Sequence, residues 1–194
     1  KRNGMNRTGR TASASLLIVS MALAGCAAGH GKYTQEFKEE AQSRMSRVRA
    51  ATQHDMALQQ FLSGELEKAL KTIEESIALK GDVAKSHVLR GRVFLERGNL
   101  DSAQDSLELA LVIDESFAEA HYYLGIIDER FNRMAEAIER FETALELDGT
   151  DAQYVVALAE TLIELGDLDA ASSLLDESKS QFELNPALHQ TLGH

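Results

Sequence analysis

Small, turn-forming and apolar residues recur at one spacing through most of the chain. Each of three series keeps a period of 34 residues: Ala69, Ala103, Ala137 and Ala171; Gly64, Gly98, Asn132 and Gly166; and Ile73, Leu107, Phe141 and Leu175. A 34-residue period is typical of a helix-turn-helix unit that is stacked on copies of itself. The pattern therefore predicts an all-α fold, an α-solenoid of helical hairpins, in which we call the two helices of each unit helix A and helix B.

The period also divides the chain into units. Counting from the alanine series, we predict four complete hairpins and the start of a truncated fifth, which Pro186 opens: 50–83, 84–117, 118–151, 152–185 and 186–194. Before them, apolar residues at three- and four-residue spacings predict a separate N-terminal helix over 34–49. A terminal element with a polar outer face could cap the stack.

The first 25 residues have a different pattern. A basic head that contains Lys1, Arg2, Arg7 and Arg10 precedes an apolar run over about residues 14–24. The run is short for a membrane span, and a basic head followed by a short apolar stretch is typical of a secretory signal. We therefore predict a signal peptide over 1–25.

The apolar run ends in Leu23-Ala24-Gly25-Cys26, which resembles the bacterial lipobox. The resemblance implies a lipoprotein: Cys26 carries acyl chains such as palmitate, and residues 26–33 form a tether. It places the protein in the bacterial cell envelope, lipid-anchored and facing the periplasm or the cell exterior. Asp after the cysteine favours the inner membrane in Gram-negative lipoproteins, so Ala27 favours the outer membrane.

The two ends of the chain interrupt these patterns. The chain starts at Lys1 rather than at a methionine, and it stops at His194 inside the fifth unit. Half a hairpin cannot bury its apolar face. We expect either that the natural protein continues beyond His194 or that this end is frayed, and Met5 could be the true start.

Within the units, the signature positions resemble those of tetratricopeptide repeats (TPR). The resemblance covers about residues 50–194 and rests on Gly91, Phe94 and Ala110 in unit two, and on the run from Ala118 to Gly125 in unit three. It implies a right-handed superhelix in which glycines such as Gly91 and Gly125 let paired helices approach closely.

The resemblance further implies that helix A of each unit lines a concave groove that binds a partner protein or peptide. The groove residues would be Val88, Leu89, Arg92, Leu95, Tyr122, Tyr123, Ile126, Glu129, Arg130, Val156, Glu160 and Ile163. Tyr122 and Tyr123 are the best anchors, because tyrosine offers a large contact area and few rotatable bonds; alternatively, one of them packs between layers. Arg92 and Arg130 could pair with a partner's carboxylate, or with Glu96 and Glu129 nearby.

The charge of the chain argues against nucleic-acid binding. The full chain has 20 basic and 31 acidic residues, and the part after the signal peptide has 16 basic and 31 acidic residues, a net charge of −15. Such a surface repels phosphates. Cys26 is the only cysteine, so no disulfide can form within one chain.

Catalytic chemistry is not indicated. The chain carries none of the motifs HExxH, GxSxG and GxGxxG. His87, His121 and His189 share one phase of the repeat. Since adjacent helices pack about 10 Å apart, these histidines cannot share one metal and are interpreted as packing residues. We predict no enzyme activity, no cofactor and no metal.

Together these patterns predict a lipid-anchored scaffold or adaptor that binds a partner protein or peptide. Two narrower functions stay open. One is a pilotin-like assembly factor for a pilus or secretion component, and the other is a regulator that recruits an envelope hydrolase. The sequence leaves the partner, the oligomeric state and the binding face undetermined.

Overall fold

The computed structural model describes residues 32–179. The predicted signal peptide, Cys26, the fifth unit and His189 lie outside the described residues. The described part contains eight α-helices and no strand: α1 (Lys32–Leu62), α2 (Leu66–Leu79), α3 (Ala84–Glu96), α4 (Leu100–Ile113), α5 (Ala118–Arg130), α6 (Met134–Leu147), α7 (Ala152–Leu165) and α8 (Leu168–Lys179). None of α1–α8 is both long and apolar enough to cross a membrane.

The hairpins follow the predicted units. The pairs α3–α4, α5–α6 and α7–α8 each turn at the glycine or asparagine of the turn series. Gly98, Asn132 and Gly166 adopt φ values of 73°, 59° and 82°. Glycine takes this left-handed conformation without a steric penalty, and asparagine tolerates it. The all-α fold of stacked hairpins is thus confirmed.

The first helix differs from its prediction. Residues 34–49 do not form a separate element, because α1 runs without interruption from Lys32 to Leu62 and supplies helix A of unit one. Residues 32–62 contain no glycine or proline that would end a helix. The division of the chain into two parts falls after Met45, inside α1, and α2–α8 all lie in the second part.

The crossings of helix A with helix B are built from small residues. All four alanines of the repeat series are buried, and so are the four residues of the apolar series. A Cβ atom placed on Gly125 would lie 2.5 Å from Cε1 of Phe141, and one on Gly91 would lie 2.8 Å from Cγ of Leu107. Both distances are far below van der Waals contact, so the predicted close approach of the paired helices is confirmed.

Two histidines at the shared repeat position contact the linkers between successive hairpins. His87 Nε2 donates to the carbonyl oxygen of Gly81 at 2.8 Å, and His121 Nε2 donates to that of Glu115 at 3.0 Å. Each histidine therefore satisfies a backbone acceptor in the linker before its own helix A. These contacts are more specific than the general packing that the sequence predicted.

Candidate functional site

Three of the predicted groove residues lie in the core. Val88, Leu89 and Leu95 are 1%, 2% and 4% exposed. Leu89 belongs to a cluster with Ala57 and Ile73, while Val88 and Leu95 belong to a core cluster that units two and three share. The reason is that α3 has neighbours on more than one side and buries more than one face. Their side chains are unavailable to a partner, and this part of the predicted groove is corrected.

Four further predicted groove residues do not line the open cleft that is described below: Ile126, Arg130, Val156 and Ile163. Ile126 and Val156 are half-buried and pack against core clusters, and Ile163 is half-buried. Arg130 is exposed, and its Nη1 donates to the carbonyl oxygen of Leu95 at 3.3 Å. Its hydrogen bond therefore goes to the backbone of the preceding unit.

The two predicted acidic groove residues, Glu129 and Glu160, differ in their contacts and exposure. Glu129 accepts a hydrogen bond of 2.6 Å from the hydroxyl of Thr161, in the next helix A. Burial raises the pKa of Glu129, and this hydrogen bond opposes the rise. Glu160 is exposed. Glu129 is thus engaged with the neighbouring unit rather than with Arg130.

The structure brings Arg92, Tyr122 and Tyr123 together in one open cleft of about 600 Å³. We call it the tyrosine cleft, and it lies where helix A of units two, three and four meet. Its lining consists of Arg92, Ser116, Phe117, Ala118, Glu119, Tyr122, Tyr123, Leu147, Asp148, Asp151, Gln153 and Tyr154.

Arg92 is held by contacts within the fold. Its Nη1 donates to Oε1 of Glu119 at 3.1 Å. Its guanidinium carbon lies 4.9 Å from the ring centroid of Phe61 and 5.1 Å from that of Tyr123, within the range of cation–π attraction. Neither of the nearby alternatives, Glu96 and Glu129, pairs with Arg92, whose carboxylate partner is Glu119 at the start of α5.

The tyrosines form a connected aromatic cluster. The ring centroid of Tyr122 lies 5.0 Å from that of Tyr123, 5.1 Å from that of Tyr154 and 5.8 Å from that of Phe141. Such tilted and edge contacts are the favoured aromatic geometries. Tyr122 therefore packs between units three and four and also lines the cleft, which combines the two roles that the sequence left open.

The cleft disfavours additional negative charge. Burial raises the pKa of Tyr123 to about 12, although the positive charge of Arg92 opposes the rise. Burial followed by the negative charge of Asp151 raises the pKa of Tyr122 and of Tyr154. Burial also raises the pKa of Glu119, with Arg92 opposing it and Asp151 adding to it.

Two carboxylates stand in the linker between units three and four. Asp151 Oδ1 accepts from the backbone N–H of Gln153 at 2.9 Å and caps α7. Asp148 Oδ1 accepts from the hydroxyl and the N–H of Thr150, at 2.6 and 3.0 Å, and these hydrogen bonds lower the pKa of Asp148. Local hydrogen bonds thus position both carboxylates in the lining of the cleft.

The cleft offers aromatic surface, phenol hydroxyls and carboxylates. This combination suits the binding of a polar chain segment by contact and hydrogen bonding. Among residues 32–179, no group of three or more histidine, cysteine, aspartate or glutamate side chains is arranged to hold a metal ion.

Among the lining residues that the sequence did not predict, four carry a carboxylate or a phenol group: Glu119, Asp148, Asp151 and Tyr154. Three of these four lie in or beside the linkers that join successive units, outside the helix A positions from which the groove was predicted. The available signal was the repeated acidic character of these linkers, at Asp114 and Glu115 and again at Asp148 and Asp151.

Comparison with known proteins bears on the repeats. Superkiller complex protein 3 of Mus musculus is 32% identical over 91 residues, which are 44% of this chain and 6% of that protein. The chain spans at most 30% of the length of the curated relatives that it matches.

Two solved structures share the fold. The structure of Pseudomonas aeruginosa pilF has a TM-score of 0.70 and 16% identity, and the match covers 76% of this chain and 67% of pilF. The first TPR of Spaghetti (RPAP3), bound to the HSP90 peptide SRMEEVD, has a TM-score of 0.58 and 16% identity. The match covers 62% of this chain and 95% of that chain.

Two family models, both described as tetratricopeptide repeat, match residues 88–152 and 130–193. The matched region includes α5–α8 and most of the tyrosine cleft. Its hairpins have the crossing residues and turns that the resemblance implied. The chain therefore carries tetratricopeptide repeats across residues 88–193.

Proposed function

We propose that the chain is a non-catalytic scaffold, anchored by lipid on Cys26, that holds a partner protein or peptide in the tyrosine cleft. One observation carries the proposal: helix A of three consecutive units contributes side chains to a single cleft, through Arg92, Tyr122 and Tyr154. Repeats of this kind are generally scaffolds for protein–protein interaction, and a site shared between units is the arrangement that such a role needs.

The rings of the cleft are suited to binding. Tyr122 and Tyr123 are half-buried, and contacts with each other and with Phe141 or Arg92 fix their positions before any partner arrives. A pre-organised aromatic surface loses little conformational entropy on binding. A volume of about 600 Å³ is in the usual range for ligand sites, which is about 300–1,000 Å³, and suits a few side chains of an extended or helical segment.

The peptide in the Spaghetti structure supports this proposal. That protein shares the hairpin fold with this chain and holds a peptide. Repeats with this architecture are thus able to hold a peptide segment. The likeness extends to the fold alone, so it does not identify the partner of this chain.

The cleft can be tested by capture of the partner. Full-length protein is crosslinked in its membranes, purified and analysed by mass spectrometry beside a Tyr122→Ala/Tyr123→Ala variant. We expect the variant to lose the partner, because its anchors are removed. Gln153→Trp provides a second variant, since Gln153 is exposed and a large ring at this position fills the cleft without touching the core.

Phe131→Ala is the matched control for this capture, because Phe131 is an exposed aromatic residue outside the cleft lining. Capture that is equal in the wild type, in the double variant and in Gln153→Trp would contradict the proposed site. The identity of a captured partner would distinguish a general adaptor from an assembly factor for a pilus or secretion component, and from a regulator of an envelope hydrolase.

Membrane anchoring is tested separately through Cys26. Cys26→Ser removes the thiol that would be acylated, so we expect the protein to move from the membrane fraction to the soluble fraction. The physical reason is that several acyl chains on one residue give stable anchoring, at about 0.8 kcal/mol for each buried CH₂ group. Cell fractionation followed by immunoblotting measures the change. An unchanged membrane fraction would argue against the lipid anchor.

A further inference from the structure

The lining of the tyrosine cleft has an excess of negative charge. Among its side chains are three carboxylates, on Glu119, Asp148 and Asp151, and one cation, Arg92. Their formal net charge is −2. Arg92 and Glu119 already form an ion pair, so the excess is on Asp148 and Asp151.

Both of these aspartates can still accept a hydrogen bond from a ligand. Their hydrogen bonds to Thr150 and Gln153 use Oδ1 in each case. These hydrogen bonds do not use the second carboxylate oxygen, Oδ2, of either aspartate, and a carboxylate has further lone pairs with which to accept from a ligand.

The aromatic side of the cleft also favours a cation. The ring face of tyrosine attracts a cation that lies within about 6 Å of its centroid, and Arg92 already uses the ring of Tyr123 in this way. Tyr122 lines the same cleft as Asp148 and Asp151, while Tyr154 also lines it but is only 4% exposed. A second cation that enters the cleft would therefore lie among Tyr122, Asp148 and Asp151.

An acidic ligand would meet the opposite conditions. The negative charge of Asp151 contributes, after burial, to the raised pKa values of Glu119 and of all three cleft tyrosines. The peptide in the Spaghetti structure, SRMEEVD, has three acidic residues near its end. The tyrosine cleft would repel such a segment.

We infer that the tyrosine cleft binds a basic segment of the partner, with a lysine or arginine side chain placed between Asp148, Asp151 and the ring of Tyr122. The inference rests on the proposed function, because it specifies the chemistry of the peptide held in that cleft. The ligand class is thus a lysine- or arginine-bearing peptide.

A random dodecapeptide display library tests this chemistry. The library is selected on the full-length protein, and the enriched peptides are synthesised with a fluorescent label for anisotropy titrations. We expect enrichment of lysine and arginine. We also expect Asp148→Asn/Asp151→Asn to weaken binding about tenfold, the size of effect that two partly exposed ion pairs produce.

The substitutions are chosen to keep the fold. Asparagine retains the side-chain oxygen that caps α7 at position 151 and that accepts from Thr150 at position 148. The control is Glu74→Gln/Glu75→Gln, which removes the same charge from two exposed carboxylates of α2 outside the cleft lining. We expect less than a twofold change in this control.

The other outcomes separate this inference from the proposed function. Enrichment of neutral or acidic peptides whose binding still requires Tyr122 and Tyr123 would overturn the inference of a basic ligand. The cleft would then remain the binding site. If the control variant weakens the binding of basic peptides as strongly as the cleft variant does, that result would show general charge attraction and would overturn the inference. A selection without binders, or with binders that ignore Tyr122→Ala/Tyr123→Ala, would overturn both proposals.

Discussion

Phe141→Ala is expected to lower the free energy of unfolding by about 3–5 kcal/mol, the range for removal of a buried phenylalanine ring. Phe141 is 0% exposed and fills the space between Gly125, the ring of Tyr122 and the core residue Leu158. Removal of the ring leaves a cavity at the crossing of α5 with α6. Urea unfolding followed by circular dichroism measures the loss.

Phe131→Ala serves as the matched control for this loss. Phe131 is 40% exposed and makes a cation–π contact with Arg133 at 4.7 Å. Because little surface is buried there, we expect a loss of about 1 kcal/mol or less. Similar losses in Phe131→Ala and Phe141→Ala would contradict the packing of unit three described above.

Gly125→Ala is expected to be destabilising although it replaces a glycine inside a helix. In an open helix this change gains about 0.5–1 kcal/mol. Here the new Cβ would lie 2.5, 2.8 and 2.9 Å from three ring atoms of Phe141. Overpacking of a rigid, fully buried ring costs about 1–3 kcal/mol, and we expect this cost to exceed the gain.

The sign of the effect should reverse when the ring is removed. In a Phe141→Ala background no ring opposes the new methyl group, so we expect Gly125→Ala to stabilise the protein by about 0.5–1 kcal/mol. A double-mutant cycle measured by urea unfolding gives the coupling between the two positions. Additive effects would show that Gly125 and Phe141 are not in contact.

The hairpins could be predicted because their key positions depend on local geometry. A positive φ is required at Gly98, Asn132 and Gly166, and few residue types satisfy it. Likewise, only a residue without a side chain fits at Gly125. The turn constraint recurs in all four units, from Gly64 onward, and is visible as a period in the sequence.

The start of the first helix could not be predicted from that period. The repeat phase places the beginning of unit one near residue 50, whereas the backbone continues as helix from Lys32. Helix ends require a capping or breaking residue, and residues 32–62 include no glycine or proline. A repeat boundary is therefore not the same as a helix boundary.

The groove was only partly predictable. Periodicity identifies the residues of helix A but not how each helix is rotated between its neighbours, and for this reason Leu89 and Leu95 were assigned to a surface although they are buried. Tyr122 and Tyr123 were identified from their chemistry, and the structure places both in the cleft. Asp151 joins them through the tertiary packing of units three and four; its acidic linker is visible in the sequence, but the position of that linker beside the tyrosines is not.

Site-specific photocrosslinking tests the proposed binding face most directly. A photoreactive phenylalanine analogue replaces Gln153, which is exposed and lines the tyrosine cleft, or Glu142, which is exposed on α6 outside the lining. Illumination of cells that contain either full-length variant is followed by mass spectrometry of the crosslinked products. We expect a partner protein to be crosslinked from position 153 and not from position 142. Crosslinks from position 142 alone, or equally from both positions, would contradict binding in the cleft.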